Sequence, residues 1–346
     1  MYLNKETKMK TKIRSCWMKS LNKLIRLYNR INQLDGTVSG NATSIKRQVV
    51  MEKAIRTIRN EHNYKINDVN NLGHKHLLAL FRGWEEKMWQ GKMAATTIRN
   101  HKNIVEILCT WIGKRHLILP PEHWMIDVAR YKRELVKNKD VDKGWTPNLQ
   151  QRIEMVDAVE KVDKHVYIQL RLMLAFGLRM QEAVLLRPTI SAETNALRVE
   201  RGSKGGRPRM VPFSEDTEFR EIQMKTLADA KAMVFPNSQS LVPPKYTLKS
   251  WVARFYYICR KCGISKELKI IPHGLRHDYA NDMFKRVTGE SSSVRGGNML
   301  AIDPIENRQA RLKVAQDLGH NRPGISSTYI GFEKCHKKRA DQFDGK

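Results

Sequence analysis

The 346-residue chain is poor in cysteine, with five spread without framework spacing, and such odd, sparse usage fits a reducing compartment better than a disulfide-stapled secreted protein. Cys259 and Cys262 form a lone C-x-x-C whose candidate second pair is Cys335 and His336; ordinary thiols are expected, and no metal site. No apolar run approaches the roughly 20 residues of a membrane span. The N-terminus lacks the apolar stretch of a signal peptide. The expectation is a soluble cytoplasmic protein with no membrane partner. Acidic residues are scarce too: 35 stand against 63 Lys and Arg, leaving a net charge of +28 spread along the whole chain. A polyanion partner is the simplest explanation. The same surplus suits ribosomal proteins and membrane-surface binders, so charge alone names no reaction. An apolar fraction of 41% with seven Trp supports folded domains, and the length accommodates two.

Residues 1–43 are strongly basic, with Ile13, Trp17, Leu21, Leu24, Ile25 and Tyr28 at three- and four-residue steps. The spacing predicts one amphipathic helix ending between Asn32 and Gly36, with Lys19, Lys23, Arg26 and Arg30 on its polar face. That face is either solvated or an accessory nucleic-acid contact. Residues 44–128 repeat the helical period three times, through Val49 to Ile58, Leu77 to Trp84 and Ile98 to Trp111. Thr96 or Thr97 is the expected cap of the third helix, whose exposed side carries Arg99, Lys102 and Arg115. Trp84, Trp89 and Trp111 are expected in the core of this small bundle. Residues 129–145 are charged and poor in apolar side chains, as suits an interdomain linker.

A second domain is expected over residues 146–346. Its first helices cover Leu149–Val162 and His165–Phe176, the latter stopped by Gly177. Arg179 then sits at the mouth of a further helix with Glu182 one turn on, a position where backbone N–H groups and a guanidinium point at the same anion. After Pro188 the period becomes two. Ala196–Arg201 and Arg207–Phe213 are predicted to pair around a glycine-rich tip bearing Lys204. Beyond a helix through Leu248, Trp251, Phe255 and Ile258 comes H-G-L-R-H, His273 to His277; the stretch from Asn281 to Ile302, containing S-S-S-V-R-G-G-N, reads as a flexible loop. A helix from Ile305 leads to L-G-H, Leu318 to His320, and nine residues on a short helix opened by Pro323 carries Tyr329. The fold class is thus mainly α with a small β-sheet, a helical bundle followed by a larger C-terminal domain.

These late residues suit one chemistry. A phosphodiester resists attack because its oxygens are anionic, and two arginines answer that with permanently charged forks; Arg179 and Arg276 are the pair. A side-chain hydroxyl keeps the energy of the broken bond in a covalent intermediate, and a tyrosine, with a pKa of about 10, gives an accessible phenolate beside arginines and a base. Tyr329 is placed for it. Lys204 is the candidate proton donor to the leaving oxygen, His273 the base and His320 a phosphate ligand. His273 and Arg276 lie one helical turn apart. His277 is left as a core or supporting histidine, and no cofactor is needed.

G-L-R-x-x-E at Gly177 to Glu182, the S-K-G-G-R-P-R hairpin, H-G-L-R-H, and L-G-H followed by a tyrosine resemble the tyrosine recombinase, or phage integrase, family. The resemblance covers Thr146 to Ile330. It implies that residues 44–128 are a core-binding domain and that Arg179, Lys204, His273, Arg276 and His320 surround Tyr329, which forms a 3′-phosphotyrosine. It further implies a clamp on double-stranded DNA, a homo-tetramer across paired sites, a Holliday junction, and accessory directionality or DNA-bending proteins. Location would then be with the nucleoid. The spacing from Arg276 to Leu318 is longer than the family's, by an insert around Arg286 to Pro304. Integration of a mobile element is the first role implied; a chromosome-dimer resolving or inversion enzyme shares the pocket. A type IB topoisomerase shares the cleavage step, and a silent DNA-binding relative shares only the fold. Whether the pocket forms before DNA binds is left open by the sequence.

Overall fold

The computed structural model describes residues 3–31, 36, 38–136, 141–203, 206–320 and 323–332, the side chains of 3–15 and 323 excepted. Lys204, the pair Cys335 and His336, and the tail beyond Phe332 lie outside the described residues. The chain divides into two compact units, Met1–Asn138 and Lys139–Lys346.

Among the described residues of the first unit are the α-helices α1 (Leu3–Tyr28), α2 (Asn41–Asn60), α3 (His74–Trp89), α4 (Ala95–Trp111) and α5 (Val128–Val136). Their apolar residues recur every three or four positions, so each helix presents one stripe, and Ile55, Ile58, Leu80, Phe81, Ile98, Val105 and Leu108 close into a single core. Trp17 and Leu21 of α1 are buried in that same core, so from Trp17 onward the basic helix is built into the bundle. Lys19, Lys23, Arg26 and Arg30 are exposed, as its spacing predicted. Trp84 and Trp111 are buried and Trp89 is half-buried. The expected threonine cap of α4 is absent: the helix starts at Ala95 and neither Thr96 nor Thr97 caps it. On its outer side Arg115 Nε reaches Glu106 at 3.2 Å and Lys102 lies 3.9 Å from the same carboxylate; of the three predicted cations Arg99 and Arg115 are exposed and Lys102 is half-buried. The stretch read as linker begins as helix. Tyr131 of α5 is buried in the core, and the fully buried Glu85 carboxylate accepts from the N–H groups of Ile126 and Asp127, each at 2.9 Å, where α5 begins.

The second unit is built around α7 (Lys164–Phe176), which follows α6 (Leu149–Asp157). The first of these ends five residues earlier than its periodicity suggests, because the chain must turn to let Asp163 cap α7 by accepting from His165 N and Val166 N, both at 3.1 Å. Ten consecutive-ranging residues of α7, from Val166 to Phe176, are buried. A helix apolar nearly all round is a central one. There follow α8 (Met180–Leu185), α9 (Pro188–Ser191) and an antiparallel pair, β1 (Ala196–Val199) with β2 (Arg209–Pro212), in the register Ala196 to Pro212 and Val199 to Arg209. Around α7 pack α10 (Thr217–Ala232), α11 (Leu248–Lys261) and α12 (Gly274–Thr288); α13 (Pro304–Asp317) and α14 (Ser327–Ile330) complete the unit. The architecture is mainly α with one small sheet.

Two local readings change. The loop expected from Asn281 is helix as far as Thr288, where Gly289 at φ 71 stops it, and the remainder contains a short helical turn, Ser293–Arg295, with Met299 and Ile302 buried. Cys259 is a core residue; burial pushes its thiol up to about 12, so it packs as a small apolar group. Among the described residues no helix is long and apolar enough to cross a membrane.

Candidate active site

Four segments of the second unit converge. Gly177 turns the chain out of α7 at φ 57, and a Cβ there would lie 2.5 Å from the Tyr279 ring, so both conformation and space demand glycine. That turn puts Arg179 at the cap position of α8. His273 caps α12, which carries Arg276 and His277 on consecutive buried positions, His320 follows α13, and Tyr329 stands on α14.

The side chains meet as the sequence predicted, with one exception outside the described residues, Lys204. Arg276 is fully buried and donates from Nε to the Tyr329 hydroxyl at 3.2 Å. Its other nitrogens donate to the carbonyls of Gly177 and Leu318, tying the ends of α7 and α13 to one guanidinium. Burial lowers Arg276 to about 10, which leaves it charged at neutral pH. Arg179 donates to the Leu318 carbonyl at 3.3 Å and lies 3.2 Å from His320 Nε2. Because a guanidinium only donates, His320 accepts there through an unprotonated Nε2. The Tyr329 ring, 6% exposed, has His273 and His320 each at 6.3 Å between ring centroids.

His277 stands nearer to the tyrosine than either, at 4.8 Å, and is itself buried. Burial, then the charges of His273 and Lys143, hold its imidazole down at about 3, so it packs neutral. His273 is lowered to about 4 by burial of its ring and then by Arg276 and Arg179. His273 is exposed to solvent, and water there screens the arginines.

Two residues to which the sequence assigned no role in the pocket complete it. Glu182, fully buried, accepts from Arg179 N at 2.8 Å and from its guanidinium at 2.6 Å, and from both terminal nitrogens of Arg209 at 2.7 Å; Arg276 lies 3.9 Å away. Arg209 also donates to the Asp317 carbonyl at 2.9 Å. Three arginines thus share one carboxylate. Burial would raise Glu182, but the hydrogen bonds and charge of Arg209, then the charges of Arg179 and Arg276, outweigh it and hold the carboxyl at about 2. The signal for Arg209 was its strand parity with the buried Val211, which turns both inward.

Glu182→Gln is expected to destabilise the second unit by about 3 kcal/mol at pH 7, since it leaves buried guanidinium charge unpaired. A carboxyl lowered in the fold lends stability above its unfolded pKa of roughly 4.3 and loses it as pH falls toward its folded value. The gap to the parent should therefore narrow below that pH and close near 2. Denaturant titrations across this range check it; a gap independent of pH would remove Glu182 as the anionic hub.

An integrase family model matches residues 141–282, the stretch holding Arg179, Glu182, Arg209 and the H-G-L-R-H box. That match lies wholly within the second unit, and it is to a family described as integrase. Tyrosine recombinase XerA of Pyrococcus horikoshii is 28% identical over 157 residues, 44% of this chain and 53% of that protein. The chain thus spans about half the length of that curated relative. Among solved structures, a lambda integrase dimer bound to a COC′ core site aligns with 90% of this chain and 77% of its own at a TM-score of 0.55 and 17% identity. XerH site-specific recombinase bound to difH substrate, a pre-cleavage complex, aligns with 94% of this chain and 84% of its own at 0.51 and 15%. At these identities the likeness of the recombinase structures is one of fold.

Proposed function

We propose that the protein is a site-specific DNA recombinase that cuts and rejoins DNA through a 3′-phosphotyrosine at Tyr329. The observation that carries this reading is the Tyr329 hydroxyl held 3.2 Å from Arg276 Nε, with Arg179 and His320 3.2 Å from one another in the same pocket. The two guanidiniums bind the non-bridging oxygens of the scissile phosphate, and His320 hydrogen-bonds the phosphate beside Arg179. His273 takes the phenol proton as the tyrosine oxygen attacks phosphorus. The bond to the 5′-oxygen breaks, and Lys204 gives that oxygen its proton. The new phosphotyrosine bond conserves the energy of the old one, so a 5′-hydroxyl from a second duplex reverses the step without an external energy source or cofactor. Exchange between paired sites, through a Holliday junction in a homo-tetramer with accessory DNA-bending or directionality proteins, completes this reading.

Its first role is integration and excision of a mobile element, which the exposed cations of α1 suit as an extra DNA contact. The likeness to XerA favours a second role, resolution of chromosome dimers. Trapping on nicked duplexes cut from the DNA flanking the gene tests both. The short fragment that carries the freed 5′-hydroxyl diffuses away after cleavage, which leaves the 3′-phosphotyrosine adduct on a denaturing gel. Adducts at the boundary of an element are expected. A single adduct site remote from any boundary would favour the resolvase, and cleavage without sequence preference a topoisomerase. Tight binding with no adduct would overturn the enzymatic reading.

A further inference from the structure

The insert between α12 and α13 makes contacts on both of its sides. On one, Arg295, with a side chain 9% exposed, donates from Nε to Asp142 at 3.0 Å, from one terminal nitrogen to Asp282 at 2.8 Å and from the other to Asp278. Arg152 meets Asp278 and Asp282 from below. Two arginines and three carboxylates thereby form one cluster, two of the carboxylates, Asp278 and Asp282, standing on α12. Such a cluster gives little net stability because each charge has lost its water, but each partner has one arrangement that satisfies it.

On the other side the same turn reaches the nucleophile's segment. The last carbonyls of a helix have no partners within it, and here those of Tyr329 and Ile330, together with those of the two residues after α14, are taken by side chains. Asn281 donates to the Tyr329 carbonyl at 3.3 Å and is itself held by Ser292. Ser293 donates to the Ile330 carbonyl at 3.1 Å and lies 3.3 Å from that of Phe332. Arg311 donates to the carbonyls of Gly331 at 2.9 Å and Phe332 at 3.0 Å. A Cβ on Gly331, at φ 78, would lie 2.1 Å from the Ser293 hydroxyl and 2.9 Å from Val294, so the turn and the segment after Tyr329 touch through a glycine.

We propose that the Ser293–Arg295 turn is a latch that positions the nucleophile, with Arg295 as the positioning residue that anchors it and Ser293 as its grip on α14. This rests on Tyr329 being the nucleophile. The latch fixes how far the phenol stands from Arg276, and it does so from the same chain, before any partner subunit is present.

Amide hydrogen exchange of the free full-length protein reads the latch without DNA, through the N–H groups of Tyr329, Ile330 and Gly331, which bond Ser326 and Ser327. Ser293→Ala and Arg295→Met are expected to speed exchange at these three positions about tenfold while α7 stays protected, and Arg295→Lys to recover part of the difference. Adduct formation on the nicked flanking duplexes should fall about tenfold in the same two variants with DNA affinity unchanged. Unchanged exchange at 329–331 in Ser293→Ala would overturn the latch. Faster exchange spread equally through α7 would overturn it as well, as the mark of a merely structural residue. If the parent protein forms no adduct, the recombinase reading fails while the exchange result still decides the latch.

Discussion

Tyr329→Phe is expected to abolish covalent capture of nicked DNA and to leave DNA affinity nearly unchanged. The substitution removes one oxygen. The ring it keeps is the part that packs on His277, at 4.8 Å, and against the core, so the fold should hold within about 1 kcal/mol, the net value of a single hydrogen bond. What disappears is the atom that Arg276 Nε holds at 3.2 Å and that would become bonded to phosphorus. On the proposed reading, affinity is set mainly by phosphate contacts from cations outside this pocket. Parallel gel-shift and denaturing-gel measurements separate the two quantities. An adduct retained by the variant would assign the nucleophile to another residue.

Arg179→Ala and Arg276→Ala are each expected to lower single-turnover cleavage by at least about 100-fold, the order associated with losing one charge partner of a transition state. Their effects on folding should differ. Arg179 keeps a side chain 19% exposed and shares Glu182 with Arg209. Its loss leaves the carboxylate paired. Arg276 is fully buried and serves the carbonyls of Gly177 and Leu318, so its removal strips the Gly177 carbonyl of this donor, leaves that of Leu318 to Arg179 and should cost about 3 kcal/mol in addition. Lysine at either position should rescue poorly, because a point charge cannot span two partners as a planar fork does. Denaturant midpoints measured beside cleavage rates would show the split. Near-normal cleavage by either alanine variant removes that arginine from the chemistry.

The residues that meet around Tyr329 were legible because several sit where local structure is announced by sequence. Gly177 marks the turn before Arg179, Pro272 precedes the His273 box, and Gly319 precedes His320. What was not legible depends on contacts distant along the chain. Arg209 declares itself only once β2 lies against α8, and His277 only once α14 is docked, bringing together residues 52 apart. Small polar residues misled in the insert: serines and glycines read as flexible loop are instead the donors and close approaches that hold residues 329–332. The absent threonine cap on α4 is a plainer case, since a helix whose apolar face is buried needs no side-chain cap to start.

The buried carboxylate among the arginines also sets an electrostatic balance. Arg179, Arg209 and Arg276 bring three positive charges and Glu182 one negative, which leaves two uncompensated. A DNA phosphodiester carries one negative charge, and the five-coordinate phosphorus formed when a phenolate adds to it carries two. In the proposed reaction the cluster would be neutralised by the transition state and only half neutralised by a DNA substrate. Electroneutrality here favours the species at the top of the barrier, the condition under which binding becomes rate.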